Sequence, residues 1–331
     1  MIRNEQVKDK MPTDFQSRVL DRSSTVTIFE FIPPEIHTSE ESLMASASAL
    51  TRTLKGFHGD VHGVYIPEIV DETARGIDIR RPERVGAKLF ASYVKNECKD
   101  QFQLDSLITH PFAHTPTQDT QDWLKSTHND LDIQNIVVVG PSTRHSRLPG
   151  MSVTQALSYM SLLNKQAYNF FPGAIAIASR RASGNDDEPM RMVRKIRAGA
   201  KYFTTQIFYD TATMIDLLES YSSTCETHSI EPVRVFLSVA PIASRHTLKV
   251  ISALGASPPD NMIDSIFAQD GSTGNRSIKM IETMLKQIFD HCHNNNLNIP
   301  LGLCIGHVTE GNIRLAYELL HRLPPLVRQY E

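Results

Sequence analysis

Short apolar runs alternate with longer stretches of helical period along nearly the whole chain, and few folds accommodate that order. Residues 25–31, 61–66, 104–109, 135–139, 174–178, 202–206, 233–239 and 301–305 read as strands. Helical stretches follow over 39–54, 82–97, 117–128, from near Ser152, and over 188–198, 211–221, 278–291 and 312–320. Strands separated by helices are those of a parallel sheet, which needs a crossover between neighbours. Eight such units in 331 residues fit a closed (β/α)8 TIM barrel, with an open doubly wound sheet as the alternative. The expected organisation is an N-terminal tail over 1–22, frayed or lid-like, and one barrel domain over 23–331. A longer insertion, 258–275, precedes the 278–291 helix.

Charge narrows the partners. Lys and Arg total 34 against 37 Asp and Glu, a formal net charge of −3, so neither nucleic acid nor an anionic membrane is electrostatically favoured. No apolar run approaches the roughly 20 residues of a membrane span, and the polar start carries no signal peptide, which makes the cytoplasm the default location. Cys98, Cys225, Cys292 and Cys304 lie far apart, without CxxC or zinc spacing, and read as reduced, mostly buried thiols.

In a barrel of this kind chemistry belongs at the carboxyl ends of the strands. Those positions hold Glu30, Glu68, His110, Gly140 with Ser142, Arg180, Gln206, Ser238 and His307, a polar set above apolar strands. Glu30 shares a strand face with Ile28 and Ile32, whereas Phe29 and Phe31 point to the helix layer. An acid in an apolar strand has its pKa raised and holds a proton near neutrality, as a general acid must. A buried salt bridge, for example to Lys195 or an Arg at the mouth, explains the same residue equally well.

Gln206 offers a donor and an acceptor to a heterocycle edge, or satisfies loop backbone. Arg191, Arg194 and Lys195 on one helix read either as a solvated face or as a phosphate clamp. The loop from Gly140 through Ser142 to Arg147 has small residues and cations, but no Walker or GxGxxG pattern. His110, His145 and His307 stand at different strand ends with few carboxylates beside them, so no metal site is expected.

Two stretches resemble the methylenetetrahydrofolate reductase family. Phe29-Glu30-Phe31-Ile32-Pro33-Pro34 is similar to its opening strand. Residues 194–210, with Lys195, Ala198-Gly199-Ala200 and Thr205-Gln206 before aromatics and Asp210, resemble its most specific segment. The resemblance covers about residues 25–322 and implies reduction of methylenetetrahydrofolate to 5-methyltetrahydrofolate by NAD(P)H, normally through FAD. It implies that Glu30 is the acid that opens the folate ring and that Gln206 contacts pterin and nicotinamide in turn. It also implies that Glu188, Arg194 and Lys195, with Arg191 beside them, hold the flavin's ribityl and diphosphate.

Several flavin contacts of the family are replaced. Val139-Gly140-Pro141 stands where Arg-Gly-Asp is usual, and Val64 to Glu68 replaces Thr-Tyr-Gly-Ala. Ser179-Arg180-Arg181 replaces a Tyr and a His, and His110 lies near but not at the third-strand His. The expectation is therefore weakened or absent FAD, or direct hydride transfer from NAD(P)H. Glu68 or Ser142 would take the pterin contact of the lost Asp, and Arg144, Arg147, Arg180 and Arg181 would hold the folate's glutamate tail. Barrels of this family often associate, so a homo-oligomer is also expected. The rival readings are a folate-dependent one-carbon or methyl transferase and a non-catalytic folate-binding paralogue.

Overall fold

The computed structural model describes residues 11–69, 83–98, 104–141, 148–180, 187–268 and 272–330. Ser142, Arg144, His145, Arg147 and Arg181 lie outside the described residues, as do residues 1–10. Eight strands follow one another in the chain: β1 Val26–Phe31, β2 Gly63–Ile66, β3 Asp105–His110, β4 Asn135–Val138, β5 Gly173–Ala176, β6 Tyr202–Thr205, β7 Arg234–Val239 and β8 Leu301–Val308. Each pairs in parallel with its sequence neighbour, and β1 pairs with β8, so the sheet closes on itself. The open-sheet alternative is thereby removed. The chain is a (β/α)8 barrel.

The helices are α1 Asp14–Leu20, α2 Glu40–Lys55, α3 Ala87–Cys98, α4 Thr117–Leu131, α5 Val153–Asn164, α6 Glu188–Ala198, α7 Thr211–Thr227, α8 Arg245–Ala253, α9 Asp260–Ile266, α10 Thr273–Asn294 and α11 Ile313–Val327. Local signals set several of their ends. Ser152 caps α5 and forms a reciprocal capping box with Gln155, satisfying two backbone N–H groups that the first turn leaves open. α6 stops at Gly199, whose φ of 121° is open to a residue without Cβ. The connection from β7 to β8 contains α8, α9 and α10, where the apolar period indicated only the last. The first two span 9 and 7 residues, too short for periodicity to stand out.

Strand alternation sorts side chains between two cores. Phe29 and Phe31 face outward and stack on Tyr317 of α11 and Phe90 of α3. Ile28, Tyr65, Leu107, Val137, Tyr202, Phe236 and Cys304 fill the barrel interior. Gly173 makes room for this packing, since a Cβ there would lie 2.3 Å from the Tyr202 ring.

The expected frayed or lid-like segment is, over residues 11–22, neither. α1 begins with a capping box at Thr13 and closes the amino-terminal end of the barrel. Phe15 is fully buried and packs on Phe171, Tyr202 and Phe236, with ring centroids 6.4, 5.8 and 6.2 Å away. Gln16 Nε2 donates to Gln134 Oε1 and Asn135 Oδ1, each at 3.1 Å. The buried Arg234 guanidinium donates to the carbonyls of Val19 at 3.3 Å and Asp21 at 2.6 Å. Phe15 and Val19 in a mostly polar segment did not mark it as core, because the hole they fill exists only once the strands have closed.

All four cysteines are buried and unpaired. Among the described residues no helix is long and apolar enough to cross a membrane.

Candidate active site

Glu30 is the fifth residue of β1 and emerges at the carboxyl end of the barrel, half-buried between fully buried neighbours. The β1–β8 ladder is irregular beside it. Phe29 pairs with Ile305 but Phe31 pairs with Val308, so Gly306 and His307 together oppose Glu30. This is a β-bulge, a device that re-aims groups at strand ends. His307 takes the left-handed conformation there, with φ 51°, and its N–H donates to Glu30 Oε1 at 3.2 Å. A Cβ on Gly306 would come 3.3 Å from Glu30 Oε2, so glycine gives the carboxyl its space.

Burial pushes the Glu30 carboxyl up to about 7, and the His307 N–H offsets only part of that effect. Among the described residues Glu30 makes no salt bridge, and Lys195, one candidate partner, is engaged with Glu188. Tyr65, opposite Glu30 in register, and Cys304 in β8 are both held protonated, chiefly by burial and further by the Glu30 charge. These two neighbours of the acid are therefore neutral.

Gln206 follows β6 directly, and its N–H continues the ladder to the Ala176 carbonyl at 2.8 Å. Alternation from Tyr202, an interior residue, puts Gln206 on the same inner face and at the same barrel end as Glu30. Its Nε2 donates to the Leu254 carbonyl at 3.0 Å, which fixes the amide plane. Among the described residues its Oε1 has no hydrogen-bond partner, so the acceptor remains available.

Among the described residues, the other expected site residues make their contacts away from Glu30. His110 belongs to the outward face of β3 and stacks on Trp123 of α4, with centroids 4.2 Å apart. Its imidazole is pushed down to about 4, first by burial and then by the Lys88 charge. Glu68 turns toward the start of α3, where Oε2 accepts from the Ala87 N–H at 2.7 Å, and burial raises its pKa. Its backbone N–H donates to Thr109 Oγ1. Glu68, Lys88, His110 and Trp123 line a pocket of about 620 Å³ that reaches between α3 and α4. Gly140 follows β4 and lies against Val153, whose Cγ2 would be 3.1 Å from a Cβ there.

The basic group on α6 divides. Glu188 is only 1% exposed, and its Oε1 lies 3.0 Å from Lys195 Nζ. Lys195 also donates to the Ile175 carbonyl at 2.6 Å, and burial lowers its pKa against the pull of Glu188. Arg180 completes the cluster, with Nη1 3.4 Å from Glu188 Oε2. Arg194 is exposed and Arg191 half-buried. Lys195 is thus buried and paired, because α6 turns that side chain inward to the sheet.

Sequence reasoning missed the contribution of the His307 backbone and of Asn312, whose Nδ2 donates to the His307 carbonyl at 3.1 Å. A main-chain donor leaves no side-chain signature. Tyr65 was within reach, since alternation in the second strand places it inward.

The chain matches a family model described as methylenetetrahydrofolate reductase over residues 77–299, well over half its length. The protein belongs to the methylenetetrahydrofolate reductase family. The matched stretch contains Gln206 and α6 and begins after β1 and β2, so Glu30 and Glu68 precede it. Methylenetetrahydrofolate reductase 2 of Schizosaccharomyces pombe (strain 972 / ATCC 24843) is 27% identical over 112 residues. That match spans 31% of this chain and 17% of the reductase. A solved structure of an uncharacterized Clostridium thermocellum protein, which binds two copies of 5-methyl-5,6,7,8-tetrahydrofolic acid, superposes with a TM-score of 0.75. It is 19% identical, and the match covers 94% of this chain and 99% of that one, a likeness of fold. The family membership thus rests on sequence, and the barrel likeness agrees with it.

Proposed function

We propose that the protein reduces methylenetetrahydrofolate to 5-methyltetrahydrofolate with NAD(P)H, with Glu30 as general acid. The observation that carries this reading is a carboxyl at the barrel mouth that burial holds near a pKa of about 7. Such a group delivers a proton at neutral pH, and general acids contribute about 10²–10⁴ in rate. Glu30 gives its proton to the folate ring nitrogen whose bond to the bridging carbon breaks, and that nitrogen keeps the bonding pair. The second nitrogen forms an iminium with the same carbon, and a hydride from the reduced nicotinamide converts it to the methyl group. Glu30 is left as a carboxylate and regains its proton from solvent. Gln206 supports the reading with a fixed amide at the same barrel end, suited first to a pterin edge and then to a carboxamide.

Two features of the described residues speak against a tightly held flavin. The lysine expected on the diphosphate bonds Glu188 and a sheet carbonyl, and His110 stacks in the helix layer. No step is therefore routed through FAD, and hydride passes directly between nicotinamide and folate. The Clostridium thermocellum neighbour binds a methylated folate, which favours a folate site on this barrel and leaves a methyl transferase or a non-catalytic folate-binding paralogue as the competing reading.

The test is NAD(P)H oxidation by the purified protein with and without methylenetetrahydrofolate, together with its visible spectrum. Folate-dependent oxidation by a colourless protein is expected. Folate binding without oxidation would leave the non-reducing readings in place, and a stoichiometric flavin spectrum would overturn direct transfer.

A further inference from the structure

Glu30 has two oxygens in different surroundings. Oε1 accepts the His307 N–H at 3.2 Å, while Oε2 faces Gly306, where a Cβ would stand 3.3 Å away. A carboxylic acid whose one oxygen accepts a backbone hydrogen bond carries its proton on the other. The donor is presented by a bulge in a conformation unfavourable for a residue with a side chain, φ 51°, so something must hold it. Asn312 is 5% exposed and stands at the start of α11 without capping that helix through its side chain. It instead clamps the bulge from both sides: Nδ2 donates to the His307 carbonyl at 3.1 Å, and Oδ1 accepts the Thr309 N–H at 2.8 Å.

We propose that Asn312 is a positioning residue that, through the Gly306–His307 bulge, fixes a backbone N–H on Glu30 Oε1 and so directs the acid's proton to Oε2. The inference rests on the reading of Glu30 as the proton donor. Burying a polar side chain to brace a strained loop costs free energy, and two satisfied hydrogen bonds offset it. Among the described residues, the titratable groups around Glu30 are Tyr65 on β2 and Cys304 and His307 on β8. Tyr65 and Cys304 are held protonated, so neither competes for the proton near neutrality.

The experiment follows the Glu30 carboxyl carbon by NMR through a pH titration of the full-length protein, in parallel with the pH profile of turnover. Asn312→Ala removes both clamping bonds, and Asn312→Ser removes the donor to His307 while keeping a residue suited to a helix start. His307→Gly removes the imidazole but keeps the N–H and tolerates positive φ. Both Asn312 variants are expected to raise the Glu30 midpoint by about 0.4–1 pH unit, the worth of one hydrogen bond, which is about a 3–10-fold change in proton affinity. His307→Gly is expected to leave the midpoint where it was. Unmoved midpoints in folded Asn312 variants overturn the proposal, as does a His307→Gly shift as large as theirs. Shifted midpoints with an unaltered turnover profile would keep the clamp and reject Glu30 as the acid, so the two failures are distinguishable.

Discussion

Glu188 and Lys195 meet 3.0 Å apart on the inner side of α6, seven residues apart in sequence and two turns along one face. The pair lies between helix and sheet, where Lys195 sits 5.9 Å above the Phe203 ring and bonds a β5 carbonyl. Losing Lys195 leaves the buried Glu188 with only the longer Arg180 contact at 3.4 Å, a cost of up to about 3–5 kcal/mol, whereas replacing both with apolar residues is often neutral. Lys195→Met should therefore lower the denaturant midpoint strongly, and Glu188→Met with Lys195→Met should recover most of the loss. If that stable double variant showed a several-fold higher nicotinamide KM, the pair would have a ligand role after all.

Glu30→Gln tests the proton donor without changing shape. Turnover is expected to fall about 10²–10⁴-fold. The wild-type rate should decline as pH rises through about 7, because only the protonated carboxyl donates. Stability follows with a definite sign. The unfolded chain releases this proton near 4.5 and the folded chain near 7, so the folded state binds more protons between those values and wild-type stability falls as pH rises across them. Glu30→Gln should flatten that slope, which thermal melts at several pH values would read.

Phe15 turns the first described helix into a plug. Phe15→Ala removes a fully buried ring from the base of the barrel, a change worth about 3–5 kcal/mol. A melting temperature within a degree of wild type would show that α1 is dispensable to the barrel.

His110→Phe separates the outer pocket from the chemistry. Phenylalanine preserves the stack on Trp123 and removes a ring already neutral at pH 7. Turnover and the nicotinamide KM are expected to stay within about twofold, since no catalytic hydrogen bond or charge is lost. A tenfold rise in KM would return His110 to the cofactor site.

The strand at 301–305 was legible because an interior strand must be apolar whatever surrounds it. Glu30 was legible for the complementary reason, as an acid where the pattern demanded a hydrophobe. Its neighbour His307 was visible at the end of the eighth strand, yet its use of a backbone N–H was not, since that depends on a two-against-one register between β1 and β8. The surroundings of Lys195 and His110 were not legible, for a shared cause. Both were located correctly along the chain, but helix rotation and strand alternation turned them into the layer between sheet and helices.

Sequence alone determined the alternation of elements, the apolar walls and the presence of an ionisable group at the rim of β1. Those properties are local, written in period and composition over a few residues. Only the closed barrel decided which polar groups face one another, because contacts such as Glu30 with His307, |i−j| = 277, and Phe15 with Tyr202 exist once distant segments are brought to the same radius and height. Burial and charge at a point in space are sums over such neighbours, and so are the proton affinities on which the chemistry depends.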